Sequence, residues 1–541
     1  MNPLKTASLS FAVVLATALV TVSSFPQTPT AAASPAVNAN PALPWALGVR
    51  VPLTVARPPT LVEKMPATSL WTRTTNNPPV NLGTILLLTD GTVIAHEEND
   101  QNNNVATRNW YKLTPDINGS YINGTWSSIA PLPVGYGPLF FGSAVLPDGR
   151  VVVEGGEYNQ YGGNFSRLGA IYDPVADTWT SVNPPAGWNN IGDAQTVVLN
   201  NGTFMLANAV TTQAALLNAS TLTWTATGSG KFDINDEEGW TLLPSGKVLT
   251  VDAYVQHYQS NGMNYEIYDP NNGSWSVAGT TPVQLWDSAA NCGGQSRASY
   301  EVGPALLLPN GTVFATGANS CGPGHTAIYN VGADSWTAGP DFPSNLDIAD
   351  GPAALEPNGK MLMMTSPLIF NAGSIFFEWD GSNLNQVPGP PHAPNVSSFQ
   401  GHLLVLPTGQ IMYTDYTNDV EIFTPTAGNY NWTPSAVLTS PAISRGSSFI
   451  LFGFKFNGLS QATAYGDDLQ TATNYPIVRI TNVATGHVFY CRTHGHSTMA
   501  VGYTGPVTTT VDIPANMETG QSYLEVVANG IPSERYTIQI Q

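Results

Sequence analysis

The chain has 541 residues, of which 10 % are charged, with 51 glycines, 43 prolines and a formal net charge of −19. That length is too great for one compact core and predicts two or more domains, while the excess of acid excludes a nucleic-acid partner, since nothing could neutralise a phosphate backbone. Few charges with much Gly and Pro predict short strands joined by turns, not helices.

Residues 1–33 read as a secretory signal: Lys5, an apolar stretch from about Ala7 to Val22, then small residues, with cleavage after Ser24 or Ala33. The stretch is short for a membrane span, and no later run is long and apolar enough for one. Residues 34–65, rich in Pro, Ala and Thr, read as a flexible linker. A secreted protein, extracellular or periplasmic, without a membrane anchor after cleavage, is expected, and a monomer.

Seven related stretches follow, among them "LGTILLLTDGTVIA", "VGPALLLPNGTVFATG" and "GHLLVLPTGQIMYT". Their turn glycines are Gly91, Gly149, Gly202, Gly246, Gly311, Gly359 and Gly409. Each pair of apolar runs around an x-Gly turn is a hairpin signal. A third strand and a tryptophan strand follow most hairpins, as in "AIYDPVADTWTSV". Four strands at roughly 50-residue spacing is the kelch period, so residues 66–437 are predicted to form a seven-bladed β-propeller. Trp71, ahead of the first blade, is expected to add an outer strand to the last one. Cys292 and Cys321 could close one loop and leave Cys491 over; three unpaired thiols fit as well. Residues 438–541 change rhythm and read as an immunoglobulin-like β-sandwich. The expected class is all-β.

A propeller followed by such a domain, with the "THGHS" loop and the ending "SYLEVVANGIPSERYTIQI", resembles the galactose oxidase/glyoxal oxidase family. That resemblance implies a copper held by two tyrosines and two histidines, one tyrosine being cross-linked to a cysteine. Counted back from the turn glycines, the cysteine position falls at Leu82, its tyrosine at Phe140, and the adjacent Tyr-His pair at Phe399 and Gln400. His494 alone has a counterpart. Phenylalanine has no oxygen to bind copper or carry a radical, and glutamine is a poor ligand beside imidazole. Copper is therefore not expected, and the oxidase reading stands second.

The strand starts ring the channel mouth, where the sequence places Asp193, Asp236, Glu237, Glu238, Glu301, Asp350 and Gln400. Converging carboxylates need a cation or hydrogen-bond donors between them, so either Ca²⁺ or the hydroxyls of a sugar would satisfy them, with Phe140, Phe141 and Trp240 available for stacking. A solvated acidic rim is the plain alternative. Arg297, in the long 281–300 connection, would pair with Glu301 or touch a ligand. His494 and His496, two apart, and Cys491 form a second candidate, for zinc or copper, though an incomplete one. The acidic loops 95–104 and 464–470 are looser Ca²⁺ candidates. The expectation is an extracellular carbohydrate or a surface or matrix component as partner; a copper oxidase centred on His494, a carboxylate-based sugar enzyme, or a structural matrix protein are the alternatives.

Overall fold

The computed structural model describes residues 70–541 except 99–105, 161, 164, 255–262, 289–291, 293–296, 427–431 and 469–470. The signal, the linker and most of the 95–104 loop therefore lie outside the described residues. Among the described residues, no helix is long and apolar enough to cross a membrane.

The seven hairpins grow into seven antiparallel four-stranded blades, each a meander from the axis outward. The innermost strands are Leu82–Leu87, Gly142–Val145, Thr196–Val198, Thr241–Leu242, Val302–Leu307, Ala353–Leu355 and His402–Val405, for blades 1 to 7 in order. All seven turn glycines have positive φ, between 76° and 91°, and each closes a three-residue loop such as Thr89–Gly91, where Gly91 N donates to Leu88 O and Leu88 N to Thr92 O, a conformation that a side chain resists. Blade 7 takes its outer strand from the N-terminal side of the ring, where Trp71–Arg73 pairs antiparallel with Glu421–Phe423. Trp71 packs on Phe376, Tyr413 and Phe423 at 5.0–5.7 Å and donates its Nε1 proton to the Pro388 carbonyl at 2.6 Å. The ring is thus closed by chain ends that are far apart in sequence.

The innermost strands are buried along their length, and their apolar side chains form the contacts between blades. The tryptophan strands lie outside, as in Thr178–Val182, where Val182 alone is buried.

Beyond the propeller, strands from Ser435 to Ile540 form one continuous nine-stranded sheet over a core that includes Leu451, Val478, Cys491, Val511 and Leu524. Strand Val488–His494 changes partner half-way: Val488–Cys491 pairs with Val478–Thr481, and Arg492–His494 with Thr510–Asp512. The two edges, Ser435–Val437 and Ala442–Ile443, are close in sequence, so the sheet curls back on itself. A sandwich of two separate sheets was the expectation; the hydrogen bonding instead runs through all strands because Val488–His494 bridges both halves.

This domain sits on the turn face of the propeller. Thr493 N donates to Thr89 O at 3.1 Å, Arg492 Nη2 to Asp148 O at 2.8 Å, and Met499 N to Asn200 O at 2.9 Å. From here one excursion, described over residues 456–468 and 471–475, leaves the sheet and enters the channel. Thr463–Ala464 adds a strand inside blade 6, paired with Ala353–Ala354. Gln461 Oε1 accepts from Leu242 N of blade 4 at 2.8 Å, and the Tyr465 hydroxyl donates to the Phe399 carbonyl beside blade 7. The axis is therefore filled by the C-terminal domain, whose tip arrives at the opposite, mouth face.

Candidate functional site at the channel mouth

Nine residues before the turn glycine, the chain comes off the connector and turns into the innermost strand. In blades 2, 4 and 6 that position holds Phe140, Glu237 and Asp350, all left-handed, with φ of 51°, 58° and 50°. Side chains other than glycine resist this conformation at a cost of about 1–3 kcal/mol. Here it swings one side chain per blade from the blade interior towards the axis.

The structure brings Asp193, Asp236, Glu237, Glu301 and Asp350 into one electrostatic group and adds Glu157, which follows the second strand of blade 2 and was not singled out, together with Asp467 and Asp468 of the 464–470 acidic loop, at the tip of the excursion. One carboxylate oxygen each from Glu237, Asp350 and Asp467 lies within 4.8 Å of the other two. The tip reaches Asp350 because Gly466 has no side chain: a Cβ there would stand 2.3 Å from Asp350 Oδ1. Gly239 does the same on blade 4, where a Cβ would meet the Gly466 carbonyl at 2.5 Å.

Burial pushes the carboxyls of Asp193, Glu237, Glu301, Asp467 and Asp468 well above the ordinary carboxylate range, and the neighbouring negative charges push them further. Asp236 is raised by burial to about 7, with the Tyr254 hydroxyl working in the opposite direction. Among the described residues none of these carboxylates makes an ion pair with Lys, Arg or His. The arrangement attracts a cation or a cluster of hydroxyl donors.

Beside the acids lies an aromatic group. Phe399 faces Phe140 at 6.3 Å and Phe370 at 5.5 Å, and Phe140 faces Tyr158 at 6.2 Å; all four are half-buried. Trp240 is not among them. It is 2 % exposed and packs on Trp275 at 5.4 Å inside the blades, because three residues after Glu237 the chain has already turned into the blade core. Phe141 is likewise buried, against His96 and Trp110, the side chain next to Phe140 pointing the other way.

Gln400 has a local task. Its Oε1 accepts from Ser397 N at 2.9 Å, completing a capping box on the short 3-10 turn Ser398–Gln400 that leads into blade 7. His402, two residues on, is buried and stacks on Tyr465 at 5.7 Å, and burial lowers its pKa to about 4. Leu82 is fully buried in the core of blade 1. Of the positions matched to the copper-radical site, then, Leu82 (the cross-link cysteine's place) and Gln400 are occupied by packing and capping, and Phe140 and Phe399 by rings.

His494, His496 and Cys491 are at the turn face, the end of the channel away from the acids. Three residues apart on one strand, Cys491 and His494 point to opposite sides: Cys491 is fully buried in the C-terminal core, whereas His494 meets Asp512 at 3.2 Å. The strand ends at His494, and Gly495, at φ 61°, turns the chain so that His496 Nδ1 reaches Thr509 Oγ1 at 2.9 Å. The structure does not gather these three around one point. Arg297 is exposed and forms no ion pair with Glu301 among the described residues. Cys292 and Cys321 do form a disulfide, with Cα atoms 5.0 Å apart.

Asp467 and Asp468 were visible in sequence only as an acidic loop, "AYGDDLQ". Nothing in its spacing reveals that the loop threads the propeller. A second buried charge group lies behind the mouth: Lys231 Nζ meets Glu266 at 2.5 Å, Glu238 at 3.0 Å and Asp252 at 3.4 Å. Glu238, next to Glu237, belongs to this group and faces away from the channel.

No family model matches this chain, and no curated protein does. Solved structures do. A fungal alcohol oxidase of the AA5 family, in complex with copper, is similar at 13 % identity and a TM-score of 0.47, over 87 % of this chain and 98 % of that one. Virginiamycin B lyase from Staphylococcus aureus is similar at 8 % identity and 0.43, over 66 % and 98 %. YCF48 bound to D1 peptide is similar at 14 % and 0.43, over 68 % and 99 %. At these scores no function passes from them to this chain; the seven blades rest on its own strand pairing.

Proposed function

We propose that this protein is an exported, galactose-oxidase-like kelch propeller with a C-terminal domain built on one curled sheet, and that it binds carbohydrate at the channel mouth without oxidising it. One observation carries the reading: carboxyls from blades 2 to 6 and from the excursion converge beside the half-buried rings of Phe140, Tyr158, Phe370 and Phe399. Carboxyl oxygens accept hydrogen bonds from sugar hydroxyls, and aromatic faces cover the apolar C–H side of a sugar ring. The positions that resemblance assigns to a copper radical site hold Leu82, Phe140, Phe399 and Gln400, none of which supplies a tyrosyl oxygen or an imidazole.

The test is a glycan array with the mature chain, followed by titration of the best ligand against the wild type and Phe399→Ala. Binding weakened about tenfold by that one truncation is the expected result, the scale of losing a buried aromatic contact. No glycan bound, or binding indifferent to both Phe399→Ala and Phe140→Ala, sinks the reading. So would peroxide release from alcohols or aldehydes by the copper-loaded protein.

A further inference from the structure

We propose that the channel mouth is a calcium centre, with Glu237 of blade 4, Asp350 of blade 6 and Asp467 of the excursion as ligands and Glu301 of blade 5 as a fourth. Oxygens held 2.3–2.6 Å from one ion are at most about 5 Å from each other, and the three carboxylate oxygens lie within 4.8 Å. Two further features point inward. Glu301 is 7 % exposed and its Oε2 has no hydrogen-bond partner, although its carboxyl lies against those of Glu237 and Asp350. Asp468, 1 % exposed, has neither carboxylate oxygen hydrogen-bonded. Water-excluded carboxylates without donors or counter-charge are costly, and a divalent ion removes that cost for several at once.

The donors are all oxygen, with no imidazole or thiolate among them, which selects hard cations. They come from connectors and a loop tip rather than from a rigid frame. That suits the six to eight loosely arranged oxygens of Ca²⁺ better than the strict octahedron of Mg²⁺. The ligands also lie on both sides of a domain boundary: Glu237, Glu301 and Asp350 belong to the propeller and Asp467 to the C-terminal domain. A bound ion therefore ties the excursion to three blades. The inference deepens the reading of the same mouth and rests on it only for what the ion does to a ligand, where open coordination positions would take a pair of sugar hydroxyls.

The test uses the full mature chain, treated with EDTA and desalted, titrated with CaCl₂ by calorimetry while its melting temperature is followed. One Ca²⁺ per chain and a higher melting temperature are expected. Asp467→Asn and Glu301→Gln should each weaken binding by about tenfold or more, and MgCl₂ should bind less tightly. No heat and no melting shift up to about 10 mM CaCl₂, well above the range of weak extracellular sites, overturns the proposal. Calcium binding that both variants retain also overturns it. Should Asp467→Asn fail to fold, Glu301→Gln and the wild-type melting shift still decide. A chain that binds calcium in this way but no glycan upholds the centre and defeats the carbohydrate reading; glycan binding undiminished in EDTA, without calcium heat, does the reverse.

Discussion

Lys231→Met removes the one ammonium among Glu238, Asp252 and Glu266, all of them inaccessible to solvent. The segment concerned carries Asp236 and Glu237 to the mouth, and Glu266 also holds it by accepting from Phe232 N at 3.0 Å. Methionine keeps most of the lysine stem, so the change isolates the charge. Breaking a buried ion group by deleting one partner costs about 3–5 kcal/mol. At about 2.1 cal/mol/K per residue, unfolding residues 70–541 as one unit carries an entropy of about 1 kcal/mol/K, so the melting temperature should fall by about 3–5 °C at neutral pH. The loss should also depend on pH. Burial raises Glu266 to about 7, above the usual 4.5, even with Lys231 opposing it. A carboxyl raised on folding contributes stability at low pH, and that contribution fades as pH rises from about 4.5 to 7. Without Lys231 the same carboxyl rises further, so the difference between variant and wild type should be smallest near pH 5 and widen above pH 7. Scanning calorimetry at acidic, neutral and mildly alkaline pH measures both effects. Melting temperatures agreeing within about 1 °C throughout would show that the ammonium is not what holds this group.

Two further outcomes are expected. Trp71→Ala removes the ring that joins the first strand to blade 7 and should cost about 3 kcal/mol, read as a lower urea midpoint; an unchanged midpoint would mean the ring stays closed without it. His496 is held by burial at about 3 against a usual 6.5, so its contribution to stability is complete above pH 6.5 and is lost as pH falls towards 3. By pH 5 this amounts to about 2 kcal/mol, and His496→Gln should flatten the dependence of the urea midpoint between pH 7 and 5; equal slopes in both proteins would refute the assignment.

The blade hairpins could be read along the chain because each is a local event. An x-Gly turn needs positive φ, and two apolar runs on either side need a common interior; both conditions are met within about fifteen residues. Trp71 was legible for a related reason: a strand pattern standing before the first blade has one place to go in a ring. The identical blade offset of Asp193, Glu237 and Asp350 likewise brought them to one rim. Misplacements arose where one residue decides a side chain's direction. Trp240 lies three residues from Glu237 yet faces the blade interior, and Cys491 and His494, three apart on a strand, face opposite ways.

The repeat, the all-β class and the acidic rim follow from local patterns, because turn chemistry and strand alternation act over neighbouring residues. What fills the channel follows from domain packing alone. The excursion carrying Asp467 and Asp468 is over a hundred residues from Asp350 and more than two hundred from Glu237 in sequence. It meets them because the C-terminal domain docks on the turn face and sends a glycine-tipped loop along the axis. Contact at that separation depends on how whole domains pack, which no local pattern encodes.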